Sequence, residues 1–243
     1  MVHKEYIFNS KEGFEIEILN IDSFVPERSK GRITEHTEKY SIVSFLKEFH
    51  NECTFNFPFT LTHRDKPDFS ITSLTDKIGI EFTESIPEQL AKAEYLLGKY
   101  FEGYSKLEPD FFGWDAPDRT DSEVIDILKE TQKRLIGKGY SGKSVEALWI
   151  LGIQGCITNK TKKLNNPDFE KFECNCLLVY DNQTRPMLDK YYVSENLIPF
   201  LKIYWNANNK ILFDNIYIDS GNYFYIFRKD ITPVINIVTK GVE

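Results

Sequence analysis

Long apolar runs are missing from this sequence, and no stretch approaches the roughly 18–20 apolar residues that a membrane-spanning helix needs. The first residues, Met1 to Glu5, lack the charged and then apolar layout of a secretory signal peptide. Linkers rich in proline, glycine or serine are also absent, as are internal repeats. These absences predict a cytoplasmic protein with no membrane partner, folded as a single domain over residues 1–243.

Cysteine is scarce, and the four cysteines are not spaced as a disulfide framework. Cys174 and Cys176 are separated by one residue, and no matching pair completes the four-ligand spacing of a zinc site. The pattern therefore predicts reduced thiols.

An excess of positive charge is missing too, because 30 basic residues face 37 acidic ones and the net charge is −7. This balance argues against a protein that coats nucleic acid without specificity, since phosphate contacts dominate that kind of affinity. It does not exclude a nuclease, because a metal site is itself acidic and a local basic strip is sufficient for binding.

The residues that are present indicate a globular α/β protein, with 41% hydrophobic and 14% aromatic residues. Alternating apolar residues predict an N-terminal β-ribbon over residues 5–25. Helical spacing predicts helices at Thr34 to Phe49, Ser85 to Phe101, from Thr120 onward, Ser144 to Leu164, and Val193 to Tyr204 with an interruption near Pro199. The remaining predicted strands are Phe55 to His63, Phe69 to Ser73, Ile78 to Thr83, Cys174 to Tyr180, Ile211 to Ile218, Tyr223 to Arg228 and Val234 to Val238.

The most informative stretch is Lys66-Pro-Asp68-Phe followed by Ile78-Gly-Ile-Glu81-Phe-Thr-Glu84. If its two strands pair as a hairpin, Asp68 and Glu81 converge at one end. Two converging carboxylates form a site for a hard cation, and Mg²⁺ favours such oxygen ligands together with water and substrate phosphates.

This pattern resembles the PD-(D/E)XK nuclease superfamily. The resemblance implies a restriction-endonuclease-like fold, in which helices flank a mixed central sheet. It covers a core of about residues 35–181, to which an N-terminal ribbon (1–30) and a C-terminal elaboration (182–243) with extra strands are added. It further implies hydrolysis of phosphodiester bonds, with DNA favoured over RNA, in a restriction, defence or mobile-element context. Homodimerisation is compatible with it.

The resemblance also implies roles for individual residues. Asp68 and Glu81 would bind Mg²⁺, for which Mn²⁺ can substitute, and the backbone carbonyl of Phe82 would be a third ligand. Glu38 resembles the acid that many members supply from the first helix, although Glu35 or Glu48 serves equally well by sequence.

The lysine of the family motif is replaced by Thr83, which carries no charge. Lys160 and Lys163 share one face of the predicted helix that precedes the buried strand, and Lys160 is the first candidate for a migrated catalytic lysine. The alternative is a catalytically degenerate domain of the same fold that acts as a binding module.

A second motif, Gly137 to Ser144, matches the phosphate-binding loop pattern in full, with Lys143 before its final serine. Such a loop must follow a buried strand, whereas residues 124–136 have helical spacing. Nucleotide binding through this loop remains the less favoured alternative.

Overall fold

The computed structural model describes residues 4–52, 56–101, 106–133, 141–183, 185, 187–221, 223–229 and 236–239. Its strands are β1 (Lys4–Phe8), β2 (Phe59–His63), β3 (Phe69–Ser73), β4 (Lys77–Ser85), β5 (Cys174–Asp181), β6 (Asn215–Ser220), β7 (Tyr223–Arg228) and β8 (Asn236–Thr239). Its α-helices are α1 (Lys11–Glu17), α2 (Thr34–Glu52), α3 (Glu88–Tyr100), α4 (Asp121–Lys133), α5 (Ser144–Leu164) and α6 (Lys190–Trp205).

The eight strands form one mixed sheet in which spatial order follows chain order. Strands β4, β5 and β6 are parallel, and the other neighbours are antiparallel. The predicted α/β class with a mixed sheet and extra C-terminal strands is therefore confirmed, and so is the hairpin of β3 and β4. A short antiparallel turn joins those two strands, whereas a long helical connection joins β4 to β5, as parallel pairing requires.

Helices cover both faces of the sheet, and alternation along the strands separates two cores. Ile80, Phe82 and Leu178 belong to the core that includes α1 and α2, whereas Leu177 and Val179 belong to the core that includes α5 and α6. Helices α3 and α4 pack on each other in a smaller apolar cluster. Because Glu81 lies between Ile80 and Phe82, its side chain points to the α5 face of the sheet.

The predicted N-terminal ribbon is wrong in its second half. Strand β1 pairs with β2, but residues 11–17 form helix α1. The side chain of Ser10 accepts a hydrogen bond from the Gly13 amide at 3.1 Å, which satisfies an otherwise unpaired donor of the first turn. This local cap favours a helix over a strand. Phe14 and Ile18, four residues apart, still face the core.

Several other boundaries of helices and strands differ from the predicted ones. Ser85 belongs to β4, where it pairs with Asp181, so it does not cap α3. Helix α6 begins earlier than predicted and runs through Pro199 without interruption. Strand β6 begins later than predicted, and so does the strand placed at Phe55, a residue outside the described part of the chain. The predicted start of α4 at Thr120 is confirmed, and reciprocal hydrogen bonds between Thr120 and Glu123 form a capping box there.

Gly79 in β4 is required by close packing beside the hairpin. A Cβ atom there would lie 2.7 Å from the Phe172 ring and 3.0 Å from Pro67. We expect Gly79→Ala to lower the free energy of unfolding by about 1–3 kcal/mol, because the packed core must shift to accept a methyl group. Gly155→Ala is the control, since a Cβ there meets nothing within 4 Å and alanine favours helices. Denaturant unfolding of both variants measures the difference, and equal stability would contradict the packing argument.

Candidate metal centre

Asp68 and Glu81 meet across the hairpin of β3 and β4. Phe69 pairs with Ile80, so continuing the antiparallel register by one residue places Asp68 opposite Glu81. Residues opposite each other in such a pair direct their side chains to the same face. The Asp68 carboxylate also accepts a hydrogen bond from the Phe82 amide at 2.6 Å. The two acidic residues predicted from the sequence are thus brought together, beside the backbone of the third predicted ligand.

Glu81 is completely buried, and two lysines from α5 reach it. The Nζ atoms of Lys160 and Lys163 lie 2.6 Å and 2.7 Å from the same oxygen, Oε1. The other oxygen, Oε2, is buried and has no hydrogen-bond partner among the described residues. A buried carboxylate oxygen without a donor is unfavourable, and a bound cation would satisfy it.

The charge of Asp68 is also unfavourable. Burial and the neighbouring charge of Glu81 raise the pKa of Asp68 to about 7, although Lys160, the Phe82 amide and Lys163 act in the opposite direction. A carboxyl group whose pKa is strongly raised by burial and by a neighbouring carboxylate is typical of functional sites.

Helix α5 explains why the lysines are present at this point. Cys156, Lys160 and Lys163 follow the three- and four-residue spacing of one helix face, and that face lies against β4. Burial lowers the pKa of Lys163, but its hydrogen bond and attraction to Glu81 outweigh this effect, and the pKa is raised overall. Thr83 instead contacts the buried thiol of Cys156. The side chain at the motif position therefore faces α5, and the positive charge comes from the helix.

A pocket of about 440 Å³ lies at this site, and Glu38 is part of its wall. It is also lined by Asp68, Phe82, Thr83, Lys160 and Lys163. The Glu38 carboxylate in α2 accepts a hydrogen bond from His63 Nε2 at 2.9 Å, and the His63 ring stacks on Phe69. Of the alternatives, Glu35 forms an ion pair with Lys39 instead.

Two arginines in the same pocket were not predicted from the sequence. Arg28 and Arg32 both bind Oε1 of Glu84, at 2.5 Å and 2.7 Å, and Asn182 donates to that oxygen at 2.7 Å. Arg28 also binds Glu94 at 2.8 Å. The arginines precede α2 in a segment that looks like an ordinary polar loop, so only the fold reveals their position beside β4.

The phosphate-loop hypothesis can be followed only in part, because residues 134–140 lie outside the described part of the chain. The described residues before it belong to helix α4 and those after it to helix α5. Lys143 forms an ion pair with Asp189 at 2.8 Å. This helical context lacks the strand from which such a loop normally leaves.

Comparison of the chain with protein-family models, curated proteins and solved structures returns no match. In the described residues, no group of three or more histidine, cysteine, aspartate or glutamate side chains is arranged to hold a metal ion. Magnesium, however, commonly uses only one or two protein carboxylates. No helix within the described ranges is both long and apolar enough to cross a membrane.

Proposed function

We propose that this protein is an Mg²⁺-dependent nuclease with a PD-(D/E)XK-like site, and that Mn²⁺ can replace Mg²⁺. The observation that carries the proposal is the meeting of Asp68 and Glu81 beside Lys160. The order α2, β2, β3, β4, α5 and β5, with α3 and α4 inserted between β4 and α5, supports it, because the superfamily core is a helix, three strands, a helix and a fourth strand. Nucleic acid, with DNA favoured, is the proposed partner.

The residues fit a magnesium ion. Asp68, Glu81 and the carbonyl of Phe82 would hold it, and the unpartnered Oε2 of Glu81 is the atom that needs it most. When bound, the ion would act as a Lewis acid that lowers the pKa of a water for attack on a phosphodiester. The amide of Phe82 keeps the Asp68 carboxylate oriented.

Lys160 and Lys163, which both bind one oxygen of Glu81, together replace the missing motif lysine. One of them is sufficient to compensate Glu81, so the other can turn to the substrate phosphate that enters the pocket. Lys160 is our candidate for that role, because it is the lysine that also lowers the pKa of Asp68 most strongly. A cation there would stabilise the negative charge that develops on the phosphate.

The test is cleavage of plasmid, linear and single-stranded DNA and of RNA, with Mg²⁺, Mn²⁺ or EDTA. We expect metal-dependent cleavage that falls by more than about 100-fold in Asp68→Asn, since a metal ligand is at least as important as the groups that orient one. Asp65→Asn is the matched control, because Asp65 is an exposed carboxylate in the loop between β2 and β3, which also carries Asp68. Absence of cleavage on every substrate would instead favour the binding module, for which the replacement of the motif lysine by Thr83 is the supporting observation.

A further inference from the structure

A second polar pocket lies where strands β5 and β6 end. Its volume is about 280 Å³, and its polar lining comes from Asp181, Gln183, Arg185, Ser220 and Tyr225. None of these residues lines the pocket of the candidate metal centre. Ligands of α/β proteins often bind at the carboxyl ends of parallel strands. The position therefore suits a separate binding site.

Asp181 lines this pocket and has an unused hydrogen-bond acceptor. One oxygen, Oδ2, accepts from Trp149 Nε1 at 2.7 Å and from Ser220 Oγ at 2.6 Å, and it also forms an ion pair with Arg185. The other oxygen, Oδ1, is buried and has no partner among the described residues. An ionised carboxylate only accepts hydrogen bonds, so a ligand must bring a donor to Oδ1.

Tyr225 and Gln183 also line this pocket and carry the complementary hydrogen-bond donors. The Tyr225 side chain is completely buried, and its hydroxyl has no hydrogen-bond partner in the described part of the chain. Burial raises the pKa of Tyr225 to about 12, so the hydroxyl keeps its proton and can donate. The Gln183 amide nitrogen is likewise buried without a partner in the described ranges. A ligand therefore needs an acceptor near its donor.

Charge and shape restrict the ligand further. The positive charge of Arg185 is compensated by Asp181, so neither a phosphate nor a divalent cation finds an uncompensated charge. The buried side chain of Leu188 and the rings of Tyr223 and Tyr225 supply apolar walls. The volume is just below the roughly 300–1,000 Å³ of ordinary ligand pockets, which favours a small molecule.

We propose that this second pocket binds a nucleobase, as a free nucleoside or as an unstacked base of a nucleic acid. A nucleobase is neutral and planar, and its edge places an N–H donor beside a hydrogen-bond acceptor. Asp181 Oδ1 would accept from the base, while Tyr225 and Gln183 would donate to it. The proposal does not depend on the metal centre, because the two pockets share no lining residue.

Calorimetric titration in EDTA with adenosine, cytidine, uridine and inosine tests it. We expect at least one nucleoside to bind the wild-type protein with a Kd below about 1 mM, and Tyr225→Phe to weaken that binding about tenfold. The Tm of Tyr225→Phe should stay at the wild-type value, since the deleted hydroxyl has no partner in the described protein. If this variant fails to fold, Gln183→Leu provides the same test.

Asp68→Asn separates the two pockets, because nucleoside binding should be unchanged in that variant. Failure of all four nucleosides to bind the wild-type protein would overturn the proposal, and so would binding that Tyr225→Phe and Gln183→Leu leave unaltered. Neither result would bear on the nuclease proposal, which is tested by metal-dependent cleavage.

Discussion

Asp68→Asn is expected to make the protein more stable above neutral pH, although it should abolish the proposed activity. The pKa of Asp68 in the folded chain is about 7, against an ordinary value of 3.8. The folded state therefore binds the Asp68 proton more tightly than the unfolded state does. Stability from this group is complete below about pH 4 and is lost as the pH rises through 7.

Asparagine carries no charge at any of these pH values, and its side-chain oxygen can still accept the Phe82 amide. We expect Asp68→Asn to exceed the wild-type free energy of unfolding by on the order of 4 kcal/mol at pH 8, and by much less at pH 4. Urea unfolding in EDTA across this range measures the difference. Asp65→Asn should follow the wild-type curve. If the stabilities of Asp68→Asn and the wild type changed with pH in parallel, the buried charge of Asp68 would not be what destabilises the folded protein at high pH.

The second large effect concerns the two lysines on Glu81. Lys160→Met or Lys163→Met alone should lower the free energy of unfolding by only about 1 kcal/mol, because the remaining lysine still reaches Oε1 and each lysine is partly exposed. The double variant leaves a completely buried carboxylate without a cation, which typically costs about 3–5 kcal/mol. The two substitutions should therefore be far from additive.

Unfolding of the four proteins of this double-mutant cycle measures the coupling. The same variants separate the lysines in cleavage, where we expect Lys160→Met to slow the rate at saturating nucleic acid more than Lys163→Met does. Lys162→Met is the control, since Lys162 lies on the exposed side of the same turn. Additive losses of stability would show that the two lysines do not share Glu81.

The pairing of Asp68 with Glu81 at the candidate metal centre was largely predictable from the sequence because the deciding interactions are local. Alternation and a polar turn defined the hairpin, and its register then fixed Asp68 opposite Glu81. Helical spacing predicted that Lys160 and Lys163 share a face. Both lysines bind one oxygen of Glu81 only because α5 packs on β4. No rule of residue spacing predicts that packing.

The errors also have physical reasons. Phe14, Ile16 and Ile18 alternate with glutamates as in a strand, but Phe14 and Ile18 also have the four-residue spacing of one helix face. The Ser10 cap decided between the two structures. Ser85 was predicted to begin a helix, but pairing with β5 extends β4 through it. Arg28 and Arg32 reach Glu84 from more than fifty positions away in the chain. Such long-range pairs leave no periodic pattern in a single sequence.

Binding of Mn²⁺, followed by the loss of the electron paramagnetic resonance signal of the free ion, tests the central claim most directly. We predict that Mn²⁺ binds the wild-type protein and Asp65→Asn, that Mg²⁺ displaces it, and that Asp68→Asn and Glu81→Gln lose the binding. Mn²⁺ binding of equal strength in Asp68→Asn, or no binding to the wild-type protein, would contradict a metal site built on Asp68 and Glu81.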